Sequence, residues 1–239
     1  MKFACCIVAA GQGSRLGEEW AGTPKALVPI LGRAMLYYSL HAFDNAGAID
    51  RLVISAPEDS VKVFREHVKI WGFSRPAEVV PGGETRAQSV LNALRELKSD
   101  PPDIVLIQDC ARPCLTSAMV AALLNASSGG RACVLGHPTV DTLREVEGDR
   151  IVLELDRSAV AALETPQLFP FQRILELHEQ SQGDEELPDD TTLFTRAGET
   201  VRLVFHEGSN MKVTYPEDIA AAEGILFQRG WQDAGEGEE

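Results

Sequence analysis

Apolar positions along the chain fall into two kinds of pattern. Short unbroken runs, "FACCIVAA" at 3 to 10 and "DIVLIQD" at 103 to 109, carry no polar alternation, as strands covered on both faces require. Between such runs the apolar spacing turns helical. The chain is thus expected to form strands near 3 to 9, 51 to 55, 77 to 80, 103 to 108 and 131 to 136, with helices near 34 to 46, 58 to 70, 85 to 98 and 116 to 127. Parallel neighbours need crossover connections, so this alternation predicts a parallel sheet with helices on both faces.

The pattern then changes. "TVDTLREVEGDRIVLEL", 139 to 155, alternates apolar and polar residues about Glu147-Gly148-Asp149 and predicts an antiparallel hairpin. A lone hairpin is marginal in water, so this one needs a surface to pack on, and a second subunit is expected to supply it. Helices near 170 to 182 and 189 to 197 follow, then a strand at 201 to 205 and a last helix opening on Pro216, where proline suits a first turn. The final "DAGEGEE" reads as a solvated acidic tail. No internal repeat is visible. At 239 residues the expectation is one domain over 1–228, with a β-arm at about 138–158, and a tail over 229–239.

Composition narrows the chemistry. No apolar run approaches the roughly 18 residues of a membrane span, and Lys2 with its short apolar run leads into Gly-Gln-Gly, a first strand rather than a signal peptide. Five cysteines without zinc spacing suit free thiols in a reducing cytosol, so a cytoplasmic protein is expected. A net charge of −14 argues against general nucleic-acid binding. Any bound phosphate must therefore be held by a few local cations.

Ligands of open α/β sheets sit outside the carboxyl ends of the strands, which directs attention to four segments. In the first, Gly11 and Gly13 let backbone N–H groups face an anion, and Arg15 and Lys25 add two cations. Gly-x-Gly alone would equally fit a dinucleotide loop, although Leu16 occupies its third small position; no Gly-Lys-Ser/Thr follows, so a Walker loop is excluded. The second, "GGETRAQS" at 82 to 89, sets a glycine pair before a helix N-terminus carrying Thr85 and Ser89. Capping explains Thr85 but not Arg86. In the third, Asp109 ends a buried strand ahead of Arg112; it suits Mg²⁺ or a structural pair with Arg112. The fourth, "GSNMKVTYPED", holds Lys212 just before the last helix, where a lone lysine is ordinarily solvated.

Taken in order, Ala-Ala-Gly-x-Gly-x-Arg with Pro24-Lys25, "GGETRAQSV", Asp109-x-Ala-Arg-Pro, Thr165-Pro166-Gln167 and Asn210-x-Lys212-Val213-Thr214 resemble the 2-C-methyl-D-erythritol 4-phosphate cytidylyltransferase family of the non-mevalonate isoprenoid pathway, from about residue 3 to residue 228. The resemblance implies a Rossmann-like nucleotidyltransferase fold, a mostly parallel twisted sheet with flanking helices and a projecting β-arm that makes a homodimer. It implies transfer of CMP from CTP to a polyol phosphate, with Mg²⁺ and release of pyrophosphate. By motif, Arg15 and Lys25 would stabilise the α-phosphate, Lys212 would position the acceptor phosphate, and Arg157 would reach it across the dimer. Ala9, Ala10, Gly11, Gly13, Gly83, Glu84, Ser89 and Cys110 fall where the nucleotide is held. Asp109, Arg112, Asp141, Thr142 and Thr165 fall around the acceptor and the metal, with Asp109 the expected metal ligand.

An acceptor phosphate is already an anion, so the barrier is charge repulsion and no general base is needed. Ser209 stands where the family usually has aspartate, Cys110 for a common alanine and Ala26 for a common glutamine; the acidic "GEEW" beside a phosphate loop is expected to turn outward. A ribitol-5-phosphate cytidylyltransferase is the nearest alternative, followed by a molybdopterin cytidylyl- or guanylyltransferase, a non-catalytic nucleotide-binding protein and, last, a dehydrogenase.

Overall fold

The computed structural model describes residues 1–181 and 187–234. In chain order it forms β1 (Phe3–Val8), a two-strand hairpin of β2 (Pro29–Ile30) and β3 (Arg33–Ala34), α1 (Met35–Ala46), β4 (Arg51–Ala56), α2 (Val61–Trp71), β5 (Ala77–Pro81), α3 (Arg86–Glu96), β6 (Ile104–Asp109), α4 (Ser117–Ala126) and β7 (Cys133–Pro138). There follow β8 (Arg144–Glu147), β9 (Arg150–Glu154), β10 (Ala161–Pro170), α5 (Phe171–Gln180), α6 (Thr191–Arg196), β11 (Arg202–Phe205) and α7 (Pro216–Gln228).

Seven of the strands make one sheet in the order β11-β7-β10-β6-β1-β4-β5. The unbroken apolar runs are explained by its two faces. Side chains alternate across a strand, and Cys5 and Ile7 of β1 join Leu106 of β6 in one core under α1, α2 and α4. Ala4 and Cys6 join Val105 and Ile107 in the other, under α3, α5 and α6. Parallel register sets Val8 level with Asp109, so the loops leaving β1 and β6 emerge side by side.

One strand departs from the sequence pattern. β10 runs antiparallel to both β6 and β7, and no periodicity announces it, because Glu164, Thr165 and Gln167 occupy buried positions and Pro166 interrupts the run. A register shift against β7 between Leu163 and Gln167 accommodates that interruption. The sheet is accordingly mixed, although mostly parallel.

The expected hairpin forms as β8 and β9 outside the main sheet, with Gly148 in the left-handed region at φ 61°. Every residue of both strands is exposed, Ile151 and Leu153 included. At the other extreme, residues 229–234 do not trail away. The Trp231 ring lies 4.8 Å from that of Tyr38, and the Ala234 amide donates to the Leu31 carbonyl. The remainder of the expected tail, 235–239, and the last residue of the helix expected at 170 to 182 lie outside the described residues. Among those described, no helix is long and apolar enough to cross a membrane.

Candidate active site

The loop after β1 is built around one buried anchor. Leu16 is enclosed in a third apolar cluster with Val28, Ile30, Met35, Tyr38 and Val213, so burial rather than close helix packing fixes this turn. Gly13 has φ 67°, and a Cβ there would lie 3.0 Å from Cβ of Lys25; both the conformation and the proximity of the lysine call for glycine. Glu18–Trp20 forms a single 3₁₀ turn whose two glutamates face solvent while Trp20 packs on the cluster. The acidic residues thus point outward. Lys25 Nζ donates to the Val213 carbonyl at 2.6 Å, and the Arg15 guanidinium lies 6.0 Å from the Tyr215 ring centroid.

After β5, the glycines are dictated by space. A Cβ on Gly82 would meet Ala10 Cβ at 2.4 Å, and one on Gly83 would meet Gln88 Cβ at 2.4 Å. The Ser89 hydroxyl accepts from the Gly83 amide at 3.0 Å and donates to the Thr85 carbonyl at 3.0 Å, so it shapes this loop. Thr85 and Gln88 complete a reciprocal cap on α3.

At the centre stands Asp109. Its Oδ1 accepts from Arg86 Nε at 2.9 Å and its Oδ2 from Lys212 Nζ at 2.7 Å, while its amide donates to Thr165 Oγ1 at 3.0 Å. The other arm of Arg86 reaches Asp190, 2.8 Å away, and Asp190 in turn meets His178 Nε2 at 3.0 Å. Burial by itself would raise the Asp109 carboxyl, but Arg86 and Lys212 overcome it and hold it well below the usual carboxylate range. Lys25 moves the opposite way to an exposed lysine beside acid: burial lowers its pKa, and the charges of Lys212 and Arg15 add to that. Burial also pushes the Cys110 thiol up to about 12, so it presents a neutral surface. Arg112 does not pair with Asp109; its Nη1 donates to the Asn210 carbonyl at 2.7 Å and lies 3.7 Å from Glu164.

These loops enclose a cleft of about 340 Å³. Of the expected residues it gathers Ala10, Gly11, Gly13, Arg15, Lys25, Gly83, Glu84, Ser89, Asp109, Cys110 and Lys212 along its wall. Ala9 and Thr165 are buried instead, Thr165 holding the Asp109 backbone. Arg157, Asp141 and Thr142 are not brought to the cleft within one chain, because the arm that carries them leaves the sheet; Thr142 and Arg157 line a separate groove with Arg144 and Glu154. Gln12, Ser14 and Thr214 are not singled out as site residues by the sequence, and Arg86 is marked there only as unexplained by capping and given no role, yet all four line the cleft. For Arg86 a signal existed: a cation in the first turn of a helix opposes the helix dipole, and here Asp109 and Asp190 offset that. Lys212 takes its anionic partner from Asp109, and Ser209 contributes its main-chain carbonyl to Arg229. Four cationic side chains and two carboxylates line the wall, an excess of positive charge in a chain of net charge −14.

The profile of the 2-C-methyl-D-erythritol 4-phosphate cytidylyltransferase family matches residues 3–228. The chain belongs to this family. A 2-C-methyl-D-erythritol 4-phosphate cytidylyltransferase of Dictyoglomus thermophilum is 32% identical over 229 residues, 94% of this chain and 96% of that protein. One from Caldanaerobacter subterraneus subsp. tengcongensis is 33% identical over 232 residues, 96% of this chain and 100% of that protein. Among solved structures, the 4-diphosphocytidyl-2C-methyl-D-erythritol synthase of Anaerococcus prevotii superposes with a TM-score of 0.81 at 25% identity, covering 95% of this chain and 98% of that one. The cytidylyltransferase of Thermus thermophilus gives 0.74 at 28% identity, covering 95% and 100%. The family's mostly parallel, helix-flanked sheet is the fold seen here, and the motifs that hold Gly11 to Arg15, Gly83 to Ser89, Asp109 and Lys212 contribute residues to the cleft.

Proposed function

We propose that this chain transfers CMP from CTP to 2-C-methyl-D-erythritol 4-phosphate and releases pyrophosphate. The observation that carries the reading is the convergence of Arg15, Lys25, Arg86 and Lys212 on one cleft at the strand ends, in a chain matched by the family over nearly its whole length. An acceptor phosphate oxygen attacks the α-phosphorus as its bond to the pyrophosphate oxygen breaks, and negative charge gathers on the transferring group. Lys25 is partly stripped of water and rests on a neutral carbonyl, so a phosphate oxygen displaces no anion to reach it. Arg15, on the rim beside Tyr215, closes the same group from the other end of the loop. Lys212 is oriented by Asp109, which Arg86 fixes from behind. Arg112 lies next to that pair through Asn210 and serves the acceptor phosphate.

The donor set fits magnesium in one mode only. Among the described residues no group of three metal-ligating side chains exists, whereas Mg²⁺ is commonly held by one or two carboxylates with substrate phosphates and water. Asp109 would be that carboxylate, using lone pairs left by its two cationic partners. When bound, the ion neutralises triphosphate charge.

We further infer a homodimer made through the arm, whose exposed Val146, Ile151 and Leu153 suit an apolar interface, with Arg157, Asp141 and Thr142 completing the partner's acceptor site. Five buried free thiols fit a reducing compartment, and we place the protein in the cytoplasm. Purified protein with CTP, Mg²⁺ and either methylerythritol phosphate or ribitol 5-phosphate tests the assignment by pyrophosphate release. Product is expected with the first acceptor; product with the second alone would reassign the enzyme, and product with neither would end the reading.

A further inference from the structure

Behind the cleft lies a carboxylate that the reaction does not use. Glu164, on β10, is 4% exposed. Its Oε1 is 3.0 Å from His137 Nδ1, and its Oε2 lies 2.8 Å from His206 Nε2 and accepts from Asn210 Nδ2 at 2.8 Å. Asn210, itself 1% exposed, also donates to the Thr165 carbonyl at 2.9 Å, and its own carbonyl accepts from Arg112 at 2.7 Å. One buried carboxylate therefore ties together β10, the loop after β6 that carries Arg112, and the segment that delivers Lys212 two residues beyond Asn210.

We propose that Glu164 is a positioning residue for the acceptor half of the site, and that His206 is the counter-ion which decides how much of the Arg112 charge remains for an incoming phosphate. The proposal rests on the cytidylyltransferase reading, in which Arg112 and Lys212 receive the acceptor. When His206 is protonated, it answers the Glu164 charge, and Arg112, 3.7 Å away, keeps its own for the substrate. When His206 is neutral, Glu164 is left to draw on Arg112. The groups facing His206 are Glu164 from β10, Arg112 from the loop after β6, His137 from β7 across the shared carboxylate, and the Glu207 carbonyl of its own segment. Arg229, at the end of α7, approaches the same segment through the Ser209 carbonyl. The hydrogen bond that His206 makes to the Glu164 carboxylate raises its pKa above 6.5, against the effect of burial, so the protonated form persists further toward neutrality than in an ordinary histidine.

The test is steady-state kinetics of the full chain from about pH 6 to about pH 9, the range in which a shifted histidine titrates, with CTP and methylerythritol phosphate varied in turn. His206→Gln is expected to raise the acceptor KM about tenfold, as loss of a charged hydrogen bond implies, with the CTP KM changed less than about twofold, whereas Glu164→Gln removes the charge that draws on Arg112 and should leave the acceptor kcat/KM without its pH dependence. The wild-type acceptor kcat/KM should fall as pH rises through the His206 pKa, and His206→Gln should lack that fall. Equal effects on both substrates, or an unchanged pH profile in His206→Gln, would overturn the proposal. Should the variants not fold, the wild-type His206 resonance decides: it should titrate above 6.5 and move on addition of methylerythritol phosphate, and a resonance indifferent to that acceptor would refute the coupling. Wild-type protein inactive with this acceptor would remove the cytidylyltransferase reading instead, a failure seen before any variant is compared.

Discussion

Lys25 and Arg86 show how differently two cations of one cleft are used. Lys25 forms no ion pair among the described residues and rests on the Val213 carbonyl, so its charge is not already spent on a carboxylate. Lys25→Met should lower kcat by about 10²- to 10³-fold, the usual loss for a preorganised electrostatic donor, as read by pyrophosphate release at saturating substrates. Arg86 spans two carboxylates with one planar fork, Nε to Asp109 and Nη2 to Asp190. Arg86→Met leaves the buried Asp190 without this partner and should cost about 3 kcal/mol in urea unfolding. A lysine at the same place has one nitrogen and cannot span both, so Arg86→Lys should recover only part of the loss.

At the scale of elements, β10 is the decisive one, because its buried polar residues join helices and loops that no local pattern connects. Gln167 donates to Asp189 and accepts from the Asp190 amide, Thr165 holds Asp109, and Glu164 gathers two histidines and Asn210. These contacts give stability a definite pH dependence. Asp109, Glu164 and Asp190 have folded pKa values below their ordinary 3.8, 4.5 and 3.8. The unfolded chain therefore takes up protons first as pH falls, and stability present above those values is lost below them. His206 has the opposite sign: raised above 6.5, it contributes stability below that value and loses it as pH rises through its folded pKa. From these groups the urea midpoint should be highest between 4.5 and 6.5, with the alkaline decline weakened in His206→Gln.

For the molecule as a whole, the open question is what completes a cleft that lacks the arm's own residues. Arg157 stands with the exposed hairpin, so the proposed dimer is also a proposal about the active site. Ile151, 70% exposed on β9, should lie in the contact, and Ile151→Glu is expected to shift the protein to the monomer volume in gel filtration and to lower acceptor turnover with it. Mixing Arg157→Ala chains with Lys25→Ala chains should restore part of the activity, since each mixed dimer can hold one intact site. No recovery after verified subunit exchange would count against a shared site.

The local code of this chain was sufficient for the βα alternation, for the glycine loops after β1 and β5, and for the placing of Asp109 at the end of β6 and Arg15 in the loop after β1. Each is a short-range property: side-chain period, glycine where only glycine fits, and charge at the end of an apolar run. Folding alone decided what distant residues do to one another. Arg86 gained a role only when Asp109 and Asp190 were brought to it, and β10 became a strand only because other elements supplied partners for Glu164, Thr165 and Gln167. A buried polar group is tolerated when it is satisfied, and its partners here come from elsewhere in the chain, where no local pattern can register them.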